Sequence, residues 1–467
     1  MDAWTDYVYY PGAFPVGYDV SRCAPGAAAC TGTNRLTKEV VEFDAFGRTY
    51  REKRRLPGTA EGWNRRVTLY DNEGRVWRRS EWVLDAVVQP PTDELSLPAT
   101  IFSDYDPAGR ARLITPPDGA EHSVTREYLG QRVAATTRKV ALALDLTETA
   151  VTTIERYDGQ GRLLEVQEQS DPETAAFVAT RYGYDEGGRL TRVCQDRTTP
   201  SPGVEVCGQE RLWAYDNRGF LLSERHPEKG PTGNGFVTYS AYDARGHAGR
   251  VQDGSSSRRL LYSFDASERL TKIEIDDGQP APFPLLKEFT YDSGLGAGNG
   301  KLASAFSMNR IQQFSADVGV HEGYSYQGRQ GRVSSRQTNI TINSGSAESW
   351  DQSFAWTPLG QVDSLTYPVC TKGGCGTTSP TPARSVAFEH DDGLLKRVPG
   401  FAPGVTYYPN LLVESVAHTN GVTEWITNDP NAIRRPIRFQ TTGANIDGDT
   451  GNYLYDGSGN IKGIGPE

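Results

Sequence analysis

Tyr157-Asp158-Gly159-Gln160-Gly161-Arg162-Leu163 sits between Thr152-Thr153-Ile154-Glu155-Arg156 and Leu164-Glu165-Val166-Gln167. Asp at the first turn position and Gly at the fourth match a type I turn, in which the carboxylate bonds backbone N–H groups ahead of it. The flanks carry β-branched and apolar residues at strand spacing. The heptapeptide therefore reads as the tip of a β-hairpin.

The phrase recurs along the chain. Good copies are Phe43-Asp44 with Gly47-Arg48, Tyr70-Asp71 with Gly74-Arg75, and Tyr105-Asp106-Pro107 with Gly109-Arg110. Tyr184-Asp185 with Gly188-Arg189, Tyr215-Asp216 with Gly219, Tyr242-Asp243 with Gly246, and Tyr455-Asp456 with Gly459 follow the same form. Degenerate copies start at Phe264, Tyr291, Tyr326, Trp356 and Phe388, and Tyr128 with Gly130 fills the interval before Asp158. Asp44 to Asp71, Asp158 to Asp185 and Asp216 to Asp243 are each 27 residues, and Asp185 to Asp216 is 31. A step of that size holds two strands and two turns, so each repeat is one hairpin with its connection.

A second pattern lies inside the first. Tyr182/Tyr184, Trp213/Tyr215, Tyr262/Phe264, Phe289/Tyr291, Tyr324/Tyr326, Phe354/Trp356 and Tyr453/Tyr455 place two aromatics two residues apart. Such residues share one face of a strand, and side-by-side hairpins are expected to stack them into an aromatic ladder. The same face is the candidate platform for sugars or peptides.

Composition agrees with an all-β chain. Of 467 residues, 23 are Tyr, 50 Gly and 28 Pro, a mixture of strand formers and turn formers. No stretch approaches the eighteen or so apolar residues of a membrane span. The net charge of −10 gives no basic field for nucleic acid. The N-terminus has no basic region followed by an apolar stretch, so no signal peptide is read there, and a segment of a longer protein is expected.

The six cysteines fall into three local pairs: Cys23 and Cys30, Cys194 and Cys207, Cys370 and Cys375. Loop-closing disulfides are the first reading, and they imply an oxidising compartment, hence a secreted or cell-surface protein. Free thiols and zinc are the alternatives. Zinc uses Cys-x2–4-Cys spacing in pairs of pairs, and here one pair alone comes near it.

The phrase, its spacing and its flanks resemble the RHS/YD repeats of bacterial Rhs proteins, of the C components of insecticidal toxin complexes and of teneurin shells. Thr115-Pro116-Pro117-Asp118-Gly119-Ala120 also looks like a variant common in that family. The resemblance covers about Glu42 to Gly465 and implies a spiral of antiparallel hairpins forming a curved or closed hollow shell. It further implies an enclosed C-terminal domain or, in other members, recognition of a glycan or protein at a cell surface. Residues 1–36, rich in Gly, Pro and Ala, read as a cap or a degenerate repeat, and 37–467 as the array.

Toxin-bearing members end the shell with paired Asp-Pro dipeptides that perform self-cleavage. Here Asp106-Pro107, Asp171-Pro172 and Asp429-Pro430 are isolated, and none lies in an Asp-Pro-x-Gly-Leu setting. Those catalytic residues are therefore not carried over. The doublets Asp276-Asp277 and Asp391-Asp392 read as turn residues. Asp447-Gly448-Asp449-Thr450-Gly451-Asn452 resembles the start of a calcium loop, but Gly451 and Ser458 stand at its fifth and twelfth positions, where ligands are required. Asn339-Ile340-Thr341 is a formal glycosylation sequon. No metal-protease, hydrolase or phosphate-loop motif is present. The expectation is a non-enzymatic shell segment without cofactor or metal; the alternative is an extracellular binding module.

Overall fold

The structure is a computed structural model. It describes residues 3–10, 16–31, 35–57, 62–85, 94–141, 147–171, 176–195, 198–201, 204–229, 235–254, 258–292, 297–311, 316–328, 331–343, 345–369 and 383–465. These residues form 39 strands and a few single turns of 3-10 helix. Among them no helix is long and apolar enough to cross a membrane.

One antiparallel sheet carries most of the chain. Trp4–Tyr10 pairs with Val16–Cys23, that strand with Arg35–Phe43, and so on in sequence order to Ser385–Ala387. Two short excursions interrupt the order. The Thr198–Ser201 and Val204–Val206 hairpin stands outside the main sheet, so Leu190–Gln195 pairs directly with Gln209–Tyr215. Val83–Asp85 turns back onto Trp63–Tyr70, and Val76–Ser80 passes on to Ala99–Tyr105. Beyond Ser385–Ala387, smaller sheets continue the same up-and-down course as far as Ile461–Gly465. The all-β hairpin array expected from the repeat is therefore present. Trp4–Tyr10 and Val16–Cys23, within the segment read as a cap or degenerate repeat, are two strands of the sheet.

The array is a thin wall with little apolar core. It exposes 27484 Å², where a compact monomer of its 51.2 kDa would expose about 17,000 Å². Among the described residues the buried apolar side chains are few and mostly small, such as Ala99, Ala179, Ala303 and Val386. Stability must therefore come largely from contacts between neighbouring hairpins, as in other repeat arrays.

The wall bends back on itself. Pro358 O accepts from Ala3 N at 3.3 Å, and Arg54 Nη2 donates to Pro409 O at 3.2 Å. Further along, Arg435 reaches Asp118 at 2.8 Å, Asp456 Oδ2 accepts from Ala141 N at 3.0 Å, and Lys462 pairs with Glu148. Each contact joins residues between 314 and 355 positions apart. The last strands thus lie along the first as the next turn of a spiral. Strand pairing does not close the sheet: among the described residues Trp4–Tyr10 and Ser385–Ala387 are not paired with each other.

Candidate functional site

The recurring unit is a clamp, and its turn is built first. In Tyr157–Arg162, Gly161 N donates to Asp158 O at 3.2 Å and Asp158 N to Arg162 O at 2.9 Å. Asp158 Oδ1 accepts from the amides of Gln160 and Arg162 at 2.8 and 2.9 Å, and Oδ2 accepts from Arg162 Nε at 2.6 Å. Gly161 lies at φ +81°, a left-handed geometry that glycine adopts without cost. A type I turn followed by such a residue makes the hairpin loop with a bulge, and the register shifts at Tyr157. Asp44, Asp71, Asp106, Asp185 and Asp265 hold their arginines in the same way. The Arg162 amide, then its guanidinium and the Gln160 amide, hold the Asp158 carboxyl below the usual range against the opposing effect of burial.

The arginine that closes one turn then covers the aromatic that opens the next repeat. Arg48 lies over Tyr70 at 4.1 Å, Arg75 over Tyr105 at 4.4 Å and Arg110 over Tyr128 at 3.9 Å. Arg162 covers Tyr184, Arg189 covers Tyr215, Arg269 covers Tyr291 and Arg435 covers Tyr455, all within 5.0 Å. These are cation–π distances. Where the arginine is replaced, another flat group takes its place: Phe220 stacks on Tyr242 at 5.0 Å and His247 on Phe264 at 4.4 Å.

The aromatic also reaches backward through its polar tip. Tyr70 donates to Thr49 O at 2.9 Å, Tyr184 to Leu163 O at 2.9 Å and Tyr215 to Leu190 O at 3.0 Å. Tyr291 and Tyr326 bond Leu270 O and Leu302 O, and Trp356 Nε1 bonds Val333 O at 2.7 Å. Tyr105, Tyr242 and Tyr455 make the same bond to Val76, Leu221 and Pro436. In each case the acceptor lies in the first residues after the preceding turn. Each of these ring tips is thereby satisfied, and each of these repeats is fixed to the one before it.

This arrangement corrects the expected aromatic ladder. Of the seven aromatic pairs two residues apart, none is in ring contact with a pair of a neighbouring repeat among the described residues. Between repeats a guanidinium intervenes, so the stack alternates cation and ring. In the sequence the Tyr, Asp and Gly positions carry the turn chemistry, and the arginine shows no role of its own. Its recurrence after Gly was visible; its partner one repeat onward was not.

The other sequence candidates fall as follows. Cys23–Cys30 and Cys194–Cys207 are disulfides, while Cys370 and Cys375 lie outside the described residues. Asp276 and Asp277 accept from Gly278 N and Gln279 N, as turn residues do. Asp392, at φ +46°, turns its buried carboxylate toward Arg55. Asp449 is held by Arg438 and Gln440 in a hairpin, and no group of metal-binding side chains occurs among the described residues. Asp429-Pro430, read as an isolated dipeptide, is a repeat turn with two extra residues. Asp429 Oδ1 accepts from Asn431 N and Oδ2 from Arg435 Nε at 2.7 Å, while Ala432 takes the left-handed position at φ +59°. Asp118, in the Thr115–Ala120 stretch, is bound by His122 and Arg435. Burial would raise its carboxyl, but those two partners hold it below the ordinary range.

Comparison with known proteins agrees with this geometry. The RHS Repeat family model matches residues 156–193, which hold the Tyr157 and Tyr184 turns and the strands between them. The fold is similar to the crystal structures of TcdB2-TccC3 (TM-score 0.72, 15% identity, 98% of this chain and 24% of that chain) and TcdB2-TccC3-TEV (0.71, 15%, 96% and 23%). TcdB2-TccC3-Cdc42 aligns at TM-score 0.69 and 14% identity over 97% of this chain and 23% of that one. This chain thus spans about a quarter of the length of each. No curated protein sequence matches it. The protein is an array of Tyr-Asp hairpin repeats wound as a curved β-sheet wall, similar in fold to these structures and matching the RHS Repeat model over residues 156–193. At the level of the particular chain, the clamp from Arg48 to Tyr455 is what defines it.

Proposed function

We propose that this chain is a wall segment of a secreted RHS-type shell that encloses or presents another domain, and that it acts by architecture without catalysis. The observation that carries the reading is the seam, where Pro358, Pro409, Arg435, Asp456 and Lys462 meet Ala3, Arg54, Asp118, Ala141 and Glu148. A sheet that meets itself in this manner lays down successive turns of a wall, and a thin wall with two large faces is suited to surrounding something. One structural neighbour carries Cdc42 in its name beside TcdB2 and TccC3, which fits a wall that holds a passenger.

The clamp disfavours glycan recognition on the motif rings, because one face of most of them is already under an arginine, phenylalanine or histidine. The decisive experiment is limited proteolysis with electron microscopy of the full-length gene product. Protection of a non-repeat domain inside a closed density is expected; a repeat wall with no enclosed or attached domain overturns the reading. The disulfides support an oxidising compartment. Mass spectrometry without reduction should find six hydrogens missing if the three cysteine pairs are all bridged.

A further inference from the structure

The repeat at Trp356 lacks both halves of its clamp. In Trp356-Thr357-Pro358-Leu359-Gly360-Gln361 the turn keeps its backbone form, with Thr357 N donating to Gln361 O at 2.8 Å and Gly360 N to Thr357 O at 2.9 Å. Yet Thr357 stands where the carboxylate belongs, and Gln361 where the arginine belongs. Among the described residues the next aromatic, Phe388, has no guanidinium over its ring, and as phenylalanine it has no hydroxyl to fix backward. Tyr157, Tyr326 and Tyr407 have no stacked arginine either, but each keeps its hydroxyl bonded, to Glu155, Leu302 O and Leu395 O.

The unfilled position is a cavity of about 320 Å³ lined by Leu359, Gln361, Asp363, Phe388, His390 and Asp392. Among the described residues three buried polar atoms of this lining have no hydrogen-bond partner: Gln361 Oε1, His390 Nδ1 and Asp392 Oδ2. Gln361 Nε2 donates to Gly393 O, which fixes the amide orientation and leaves Oε1 as an acceptor. The Asp392 side chain is 8% exposed, and Arg55 Nε forms an ion pair with its Oδ2 at 3.5 Å. Burial pushes the His390 ring below its ordinary pKa, and a neutral imidazole offers one acceptor nitrogen. A bare aromatic face beside several acceptors suits a planar cation with many N–H donors, which describes guanidinium better than ammonium. In seven other repeats of this chain that place is filled by the chain's own arginine over a Tyr ring.

We propose that the cavity between Gln361 and Phe388 binds a guanidinium group supplied from outside this repeat, stacked on Phe388 and donating to Gln361 Oε1 and Asp392 Oδ2. The inference does not depend on the shell reading. Two sources share this chemistry, a free guanidino compound and an arginine side chain of a partner segment.

Titration calorimetry on the whole chain separates them, using agmatine, 1,5-diaminopentane, and capped glycine peptides with one central arginine or lysine. Saturable one-site binding of a guanidinium probe, at least tenfold tighter than its amine counterpart, is expected. Agmatine binding alone assigns the site to small compounds, and tighter binding of the arginine peptide assigns it to a partner side chain. Gln361→Arg, which supplies the missing group in cis, should abolish binding and raise the melting temperature. If that variant does not fold, Asp392→Asn should weaken binding at least tenfold. No saturable binding of either guanidinium probe, equal affinity for the amines, or unchanged affinity in a folded variant overturns the proposal.

Discussion

Arg435 closes its own turn through Nε to Asp429 Oδ2 at 2.7 Å and, through Nη2, reaches Asp118 Oδ2 at 2.8 Å across 317 residues of chain. The same guanidinium lies over Tyr455 at 4.5 Å. One side chain thus joins a turn, the next repeat and the adjacent turn of the spiral. Both Arg435 and Asp118 are largely buried, at 18% and 9% side-chain exposure.

Asp118→Asn should therefore weaken the seam more than any single repeat. The loss of a charge-assisted bond in a buried setting corresponds to about 2 kcal/mol. Gly457→Val should act at the same place, because an added Cβ would come within 2.9 Å of Lys139 Cβ and 3.3 Å of His122 Cα. Hydrogen exchange should rise together at Val133–Ala141 and Asn452–Tyr455 in both variants. Exchange that rises on one side alone would show that the two segments are not coupled.

Within the wall, Tyr215→Phe removes the bond to Leu190 O and leaves the ring under Arg189. A cost of about 1 kcal/mol is expected, and Arg189→Ala should cost a similar amount by releasing both Asp185 and the ring. Because neighbour contacts dominate such arrays, the faster exchange should centre on Leu190–Gln195 and Gln209–Tyr215. A uniform change along the chain would contradict this.

The turn at Asp265 has lost its glycine, and Glu268 is held at φ +67° instead. Left-handed backbone at a residue with a Cβ costs roughly 1–2 kcal/mol, partly offset because glycine is more disordered when unfolded. Glu268→Gly should stabilise the protein by about 0.5–1 kcal/mol. A lower urea midpoint for this variant would show that the Glu268 side chain contributes more than its backbone strain.

Acid should loosen the turns. His247, through its side chain and amide, brings Asp243 down to about 2, and the Arg110 amide and guanidinium lower Asp106. Unfolded Asp titrates near 3.9. A carboxyl with a lower pKa folded than unfolded stabilises the fold above the unfolded value, and that contribution is lost as pH falls through the folded one. The urea midpoint should hold steady down to about pH 4 and decline from there toward pH 2. A midpoint that is flat over that interval would dissociate the turn carboxylates from stability.

The local chemistry was legible in the sequence, because a turn is decided by neighbours. Asp158, Gly161 and their counterparts announce a type I turn with a left-handed residue, and the flanking β-branched residues announce strands. The turn at Asp429 is not legible in the sequence because two inserted residues move its arginine from the fourth to the sixth position after Asp, and Ala432 stands in for glycine. The aromatic ladder was half right: the rings do lie in series, but an arginine one repeat upstream fills the space between them.

Sequence alone therefore determined an all-β array of repeated hairpins, with Asp and Gly as its turn residues and aromatics as its links. Tertiary structure decided which groups meet across repeats and across turns of the spiral. No local rule brings Arg435 to Asp118, Lys462 to Glu148, or Gln361 and Asp392 to one cavity wall. Those meetings depend on the small twist between each pair of neighbouring strands, summed over more than three hundred residues, and such a sum is fixed by the whole wall.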